Sequence, residues 1–203
     1  MKRKGFTLIE LLVGLIVTSI VLTSVATLAY ALGSANDSSN NTSEQKAKVR
    51  NTTIMLSDLI RHCKLVCGEG VDDLSIWRAD DNGDGQINVD EIVYIERGLG
   101  SDHLQFVEFP MNAAMVPLAS LQDGSTKALL MSFFQPQTRV LLSQCANVSF
   151  VYDSAPPWSR FVSISFELDE DGQTHTYQIN TKLICGAENM LNEFGDMIVI
   201  DDD

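Results

Sequence analysis

The sequence predicts an α+β fold, in which one long N-terminal helix is followed by an antiparallel β-sheet domain. From Phe6 to Leu32 the chain is apolar except for Glu10 and a few serine and threonine residues. A helix of that length, at ~1.5 Å per residue, can span a bilayer. Beyond residue 70, short segments rich in Val, Ile, Phe and Tyr alternate with turn residues, which is typical of strands. A helix followed by a series of strands is an α+β order.

The residues before the apolar segment predict its orientation. Lys2, Arg3 and Lys4 precede Gly5, and positive residues stay on the cytoplasmic side of a membrane. The segment also lacks the short apolar region and Ala-x-Ala-like site of an ordinary secretory signal. We therefore expect a single-pass anchor with a cytoplasmic N-terminus and an extracytoplasmic domain.

Glu10 is a carboxylate within the apolar segment, where a charge is costly and usually functional. The sequence Gly5-Phe-Thr-Leu-Ile-Glu10 followed by an apolar segment closely resembles the class III signal of type IV pilins and type II secretion pseudopilins. The resemblance implies that a prepilin peptidase cleaves between Gly5 and Phe6 and N-methylates Phe6. It also implies that Glu10 pairs with the N-terminal amine of a neighbouring subunit during assembly. An uncleaved signal anchor is the alternative interpretation.

Composition limits the remaining possibilities. The 203 residues are 45% hydrophobic and 20% charged, with a formal net charge of −13, which fits one globular domain plus a membrane segment. Such an acidic chain repels phosphate backbones, so we expect no nucleic-acid partner. We found no paired catalytic groups, which argues against a membrane-tethered enzyme.

Two predicted segments connect the anchor to the sheet. The polar residues 33–42 are weak helix formers and predict a linker or kink after the 6–32 helix. A capping-box pattern at Thr42 and Gln45 then precedes apolar residues at helical spacing, which predicts an amphipathic helix over 43–67. Gly68 and Gly70 are expected to end it.

The β-rich domain is predicted to cover 68–203 and to end in an acidic tail. Segment 128–134 is apolar but fits either a strand or a short helix. The other predicted strands are 74–79, 91–97, 104–109, 138–144, 147–153, 160–168 and 176–184.

Residues 80–91, DDNGDGQINVDE, fit the loop pattern D-x-[DN]-x-[DN]-G-x5-E at every required position. Ca²⁺ needs six to eight oxygens at ~2.3–2.6 Å, which alternate positions of a tightly wound loop can supply. The flanking residues predict strands instead of the helices of an EF-hand, so we expect a structural calcium site. An acidic surface turn without metal is the alternative. The candidate ligands are Asp80, Asn82, Asp84, Gln86 (through its carbonyl), Asn88 and Glu91.

Four cysteines lie in the part expected outside the cytoplasm, where disulfides persist. They are Cys63, Cys67, Cys145 and Cys185, and they allow three sets of pairings that the sequence cannot distinguish. A disulfide between the helix and a strand is the first expectation. Buried thiols and a zinc site are the alternatives, although the spacing is a poor zinc pattern.

A finer resemblance concerns the kind of subunit. The residues Met55 to Arg61, and Asn147 to Asp153 followed by Trp158, are similar to patterns in J-type minor pseudopilins and W-type minor pilins. The resemblance implies a non-enzymatic subunit at or near the tip of a type II secretion pseudopilus or type IV pilus. Its partners would be the prepilin peptidase, other pilins, an inner-membrane assembly platform and a secreted cargo. The alternative is a calcium-dependent tip adhesin or exoprotein-binding module.

Overall fold

The computed structural model describes residues 7–70, 73–98, 103–110, 113–122, 124–170, 172–195 and 198–199. The chain forms two compact units, Met1–Lys46 and Ala47–Asp203. The described residues of the first unit are Thr7 and the N-terminal part of helix α1, which is assigned from Leu8 to His62. The second contains the last turns of α1 and all of the strands. The predicted α+β class is confirmed.

Residues 33–42 are helical, so the linker that was one of the two predictions for this segment is wrong, and a kink within the helix stays a prediction. The segment contains a single glycine and no proline, so its propensity cost is less than about 1 kcal/mol at each position. Extending an existing helix also avoids the cost of a new nucleus. The pattern at Thr42 and Gln45 therefore lies inside a helix and does not start one.

The predicted helix end at residue 67 is also wrong, because α1 ends at His62 and strand β1 occupies Leu65–Glu69. Leu65 and Val66 pair with Trp77 and Ile76 on the next strand. The Lys64 N–H already donates to the Trp77 carbonyl, at 2.9 Å. Pairing with this strand therefore takes over the backbone groups that a longer helix would have used.

The strands form two antiparallel sheets instead of one. The larger sheet has the order β1–β2–β3–β4–β5 and the smaller has the order β6–β7–β8. The remaining strands are β2 (Asp73–Trp77), β3 (Ile92–Arg97), β4 (His103–Glu108), β5 (Gln137–Ser143), β6 (Cys145–Tyr152), β7 (Phe161–Glu170) and β8 (Gln173–Lys182).

Two short helices lie between β4 and β5. They are α2 (Leu118–Gln122) and α3 (Ser125–Phe133), so the segment 128–134, which the sequence left open, is mostly helical. Gly68 lies directly beneath α2, where a Cβ would be 2.3 Å from the Leu121 carbonyl oxygen. Only glycine allows the helix backbone to approach the strand this closely.

The larger sheet separates two hydrophobic cores. On one face of the larger sheet, the first core is enclosed by the end of α1 and the smaller sheet. It includes Leu56, Ile60, Ile76 and Phe166. The second core lies on the opposite face and includes Trp77, Ile87, Phe109, Leu121 and Leu130. The 80–91 loop joins β2 to β3, so its base is set into the second core.

Candidate functional site

The N-terminus of α1 contains a reciprocal cap between Thr7 and Glu10. Glu10 Oε2 accepts hydrogen bonds from Thr7 N at 3.2 Å and Thr7 Oγ1 at 3.1 Å, and Glu10 N donates to Thr7 Oγ1 at 3.4 Å. This is a capping box, which satisfies backbone donors that a helix start leaves open. The sequence signal, Thr-x-x-Glu, was present and was missed. The predicted cleavage site, Gly5 and Phe6, lies outside the described residues.

The helix that follows this cap is apolar and exposed. Residues Leu8–Asn36 form a stretch of 29 residues that is long and apolar enough to cross a membrane, and its most apolar 18-residue window has a mean hydropathy of 2.4. Its large side chains, such as Ile16 and Leu28, are 48% and 62% exposed. A surface of this kind needs lipid or other apolar helices around it.

The first half of the 80–91 loop is wound around Asp80. Its Oδ1 accepts a hydrogen bond from Gly83 N at 2.8 Å and its Oδ2 accepts one from Gly85 N at 3.0 Å. Gly83 and Gly85 have φ values of +74° and +69°, a left-handed conformation that favours glycine. The carboxylate of position 1 thus holds the turn that the glycines permit.

Asp84 organises the second half of the loop. Asn82 Oδ1 accepts from Asp84 N at 2.9 Å, and Asp84 Oδ1 accepts from Gln86 N at 2.8 Å. The Asn88 side-chain amide donates to both Asp84 oxygens, at 3.3 and 3.2 Å. The bond from Gln86 N, followed by the bond from Asn88, lowers the pKa of the Asp84 carboxyl below its usual value. Asp84 therefore remains ionised at neutral pH.

Glu91 closes the loop from within the protein, with only 1% of its surface exposed. Its Oε1 accepts from Asp81 N at 2.7 Å, and its Oε2 accepts from Trp77 Nε1 at 3.0 Å and Asn88 N at 3.2 Å. Three donors therefore compensate the burial of one carboxylate. These bonds tie the end of the loop to its start and to the second core.

The loop is also fixed from outside. Val116 N donates to the Ile87 carbonyl at 2.8 Å, and Val89 N donates to the Ala114 carbonyl at 3.0 Å. Strands β2 and β3 flank the loop, which confirms the prediction of strands in place of EF-hand helices. The loop is therefore held rigidly at its base and presents Asp81, Asn82 and Asp84 to solvent.

Asn88 leaves one polar atom unsatisfied. The residue is 1% exposed, and its Oδ1 has no hydrogen-bond partner among the described residues. Its amide end lies against the Asp84 carboxylate, where the donor faces the negative charge. Rotating the amide would turn an oxygen toward Asp84, an arrangement that becomes favourable if a cation lies between them.

The donor set of the loop suits Ca²⁺ in kind. Carboxylate, amide and backbone oxygens are the ligands that Ca²⁺ takes, and the loop offers all three. Within the described part of the chain, no three His, Cys, Asp or Glu side chains gather closely enough to hold a metal ion. Calcium therefore remains a proposal, in which amide and carbonyl oxygens would complete the site.

The four cysteines are not joined as disulfides in the structure. Cys63, Cys67 and Cys145 are buried, and Cys185 is half-buried. The predicted disulfide stays a prediction. The zinc alternative has no ligand set among the residues that the structure describes.

Sequence reasoning missed a polar network beneath α3. Lys127 Nζ lies 2.5 Å from Glu96 Oε2, also contacts the Asp73 carboxylate, and lies 5.4 Å from the centre of the Tyr94 ring. The network ties α3 to β2 and β3. Its members are distant in sequence and carry no spacing pattern, so only the fold brings them together.

A long apolar N-terminal helix that precedes an antiparallel sheet domain is a pilin-like arrangement, and the apolar stretch of the helix is long enough to anchor the chain in a membrane. The family profile for the prokaryotic N-terminal methylation motif matches residues 1–26. The chain thus carries a prepilin-type class III signal, which implies processing by prepilin peptidase and assembly with other pilins or pseudopilins. No curated protein and no solved structure matches this chain.

Proposed function

We propose that this chain is a minor pilin or pseudopilin, a non-enzymatic subunit placed at or near the tip of a type II secretion pseudopilus or type IV pilus. The observation that carries the proposal is the methylation motif at residues 1–26, joined to an exposed apolar helix. The helix packs among other pilin helices, and the sheet domain is displayed outside the inner membrane. The resemblance of Met55–Arg61 to J-type and W-type subunits supports the minor role.

We expect processing to remove residues 1–5 and add one methyl group. The full chain should show this mass change when it is co-expressed with prepilin peptidase, because the peptidase cleaves after Gly5. The measurement is intact-protein mass spectrometry with and without the peptidase. Gly5→Asp should stay uncleaved, whereas Gly14→Ala, which meets no atom within 4 Å, should be processed normally. Equal masses with and without the peptidase would contradict the proposal.

The machine can be identified by photo-crosslinking in native membranes. A probe at the exposed Arg61 should capture other minor subunits together with a secretion or pilus assembly platform. Minor pseudopilins among the neighbours assign the chain to secretion, and a major pilin with retraction proteins assigns it to a pilus. A probe at Ile20, within the apolar segment, serves as the comparison and should capture only pilin helices. Capture of no pilin-like protein from either position would argue against a filament subunit.

We also propose that the 80–91 loop binds Ca²⁺ as a structural ion. The unpartnered Asn88 oxygen, the ionised Asp84 and the full loop pattern support this proposal. Extracytoplasmic calcium is abundant enough to occupy even sites of ~10⁻⁴–10⁻³ M affinity. The candidate holders remain Asp80, Asn82, Asp84, Gln86, Asn88 and Glu91.

The second candidate function is a calcium-dependent adhesin or exoprotein-binding module. It is favoured by the exposure of Asp81, Asn82 and Asp84 at the tip of a rigid loop. If this function is correct, Asp84→Ala keeps filament assembly and loses ligand binding. If the calcium is purely structural, assembly and binding change together.

A further inference from the structure

The end of α1 lies directly against the chain that leaves β8. Ile184 N donates to the Arg61 carbonyl at 3.0 Å, and Leu183 N donates to the Arg160 carbonyl at 2.9 Å. Cys63 lies two residues after Arg61, and Cys185 follows Ile184. Two segments about 120 residues apart in sequence thus place their cysteines beside one backbone hydrogen bond.

The environments of these two thiols differ. Cys63 is fully buried, and its Sγ donates to the Ile60 carbonyl at 3.1 Å. Burial, together with the nearby Cys185 thiol, raises the pKa of the Cys63 thiol to about 12. Cys185 is half-buried and accessible from solvent. The pair therefore consists of one accessible thiol and one protected thiol.

The remaining cysteines are placed differently. Cys67 belongs to the second core, on the opposite face of β1 from Val66, which belongs to the first core. Cys145 lies in the first core with Cys63, where its Sγ is 3.9 Å from the Leu142 carbonyl. Cys67 and Cys145 thus belong to cores on opposite faces of the larger sheet, which disfavours a disulfide between them.

We propose that Cys63 and Cys185 form a disulfide that joins the end of helix α1 to the segment after β8. The proposal rests on the proposed extracytoplasmic placement of the domain, where an oxidant is present. The oxidant would be a thiol–disulfide oxidoreductase that carries a reactive disulfide.

The reaction proceeds in two exchanges. The Cys185 thiolate attacks the carrier disulfide, which forms a mixed disulfide and releases one carrier thiolate. The Cys63 thiolate then attacks Cys185 Sγ, which forms the internal disulfide and releases the second carrier thiolate. Two cysteine thiols are oxidised, the carrier disulfide is reduced by two electrons, and both protons pass to the carrier thiols.

The bond would enclose nearly the whole sheet domain, since β1 to β8 all lie between the two cysteines. In the entropic model, closing a long loop limits the unfolded chain more than closing a short one. The domain would then remain attached to the filament helix at both of its ends.

The test is disulfide mapping of the full chain purified in detergent. The chain is equilibrated in an oxidised-to-reduced glutathione buffer, alkylated under denaturing conditions without reductant, digested, and analysed by mass spectrometry. We expect a linked peptide pair containing Cys63 and Cys185, with Cys67 and Cys145 alkylated. We also expect the reductant to lower the melting temperature by on the order of 10 °C.

Substitutions give a matched comparison. Cys67→Ala and Cys145→Ala should each retain the linked peptide, and Cys185→Ala should lose both the link and the effect of reductant on melting. Four alkylated cysteines, or a link between Cys63 and Cys145, would overturn the proposal. The same mapping on chains taken from cells tests the placement separately. A link that forms with glutathione but is absent in cells supports the pairing and contradicts the extracytoplasmic placement.

Discussion

Glu91→Ala is expected to lower the free energy of unfolding by about 3 kcal/mol or more, even with calcium removed by a chelator. The substitution leaves the Trp77 indole N–H and the Asp81 and Asn88 backbone N–H groups without their acceptor. Each unsatisfied buried donor costs about 1–3 kcal/mol, and part of this is recovered if water enters the space. The measurement is denaturant unfolding of the full chain in detergent, followed by far-UV circular dichroism.

The same variant should lose the response to calcium. About 1 mM Ca²⁺ should stabilise the unsubstituted chain by about 1.4 kcal/mol if the dissociation constant is about 10⁻⁴ M. Glu91→Ala removes two of the oxygens expected to close the site, so added calcium should no longer stabilise the chain. Asp84→Ala should lose the calcium response as well, but in chelator it should lose less stability than Glu91→Ala, because its side chain is exposed and water can replace its bonds with Gln86 and Asn88.

Asp90→Asn is the matched control, because it removes a charge from a loop position that supplies no ligand. This variant should keep both its stability and its calcium response. An unsubstituted chain that melts identically with calcium and with chelator would refute the calcium site. Unchanged stability of Glu91→Ala in chelator would instead show that the three hydrogen bonds contribute little.

The fold was predictable where the pattern is local. The strands near Ile92 and Phe161 alternate and have strong β-propensity, and both were confirmed. The linker predicted for 33–42 was wrong because helix propensity measures a preference at each residue separately, while a helix that already exists extends without the cost of a new nucleus. The helix predicted for residues 65–67 was wrong because pairing with Ile76 and Trp77 places this segment in a strand.

In the 80–91 loop, too, the local contacts could be predicted from the sequence and the long-range contacts could not. The turn bonds that Asp80, Asn82 and Asp84 make within five residues are local and follow from spacing alone. The contacts of Glu91 with Trp77, and of Ile87 with Val116, join residues separated by 14 and 29 positions. No sequence period specifies such pairs, so the rigidity of the loop base could be found only from the fold.

Glu10→Ala is expected to reduce incorporation into filaments by up to about 100-fold while leaving cleavage after Gly5 intact. Among residues 6–36, Glu10 is the only charged side chain, and a charge in lipid costs about 3 kcal/mol. Pairing with a neighbour's Phe6 amine would remove that cost on assembly, and about 3 kcal/mol corresponds to roughly 100-fold in an equilibrium constant. The measurement is the fraction of processed subunit in sheared filaments, by quantitative mass spectrometry.

Glu10→Gln separates the cap that the structure shows from the charge pairing that the family resemblance implies. Its amide oxygen can still accept from Thr7, so the cap at the start of α1 is retained while the charge is lost. If charge pairing drives assembly, Glu10→Gln should be as defective as Glu10→Ala, and Thr7→Val should assemble much better than either. If capping is what matters, Glu10→Gln should assemble normally and Thr7→Val should fail. Glu44→Ala, beyond the apolar segment, should assemble like the unsubstituted chain, which would assign the defect to the carboxylate inside that segment.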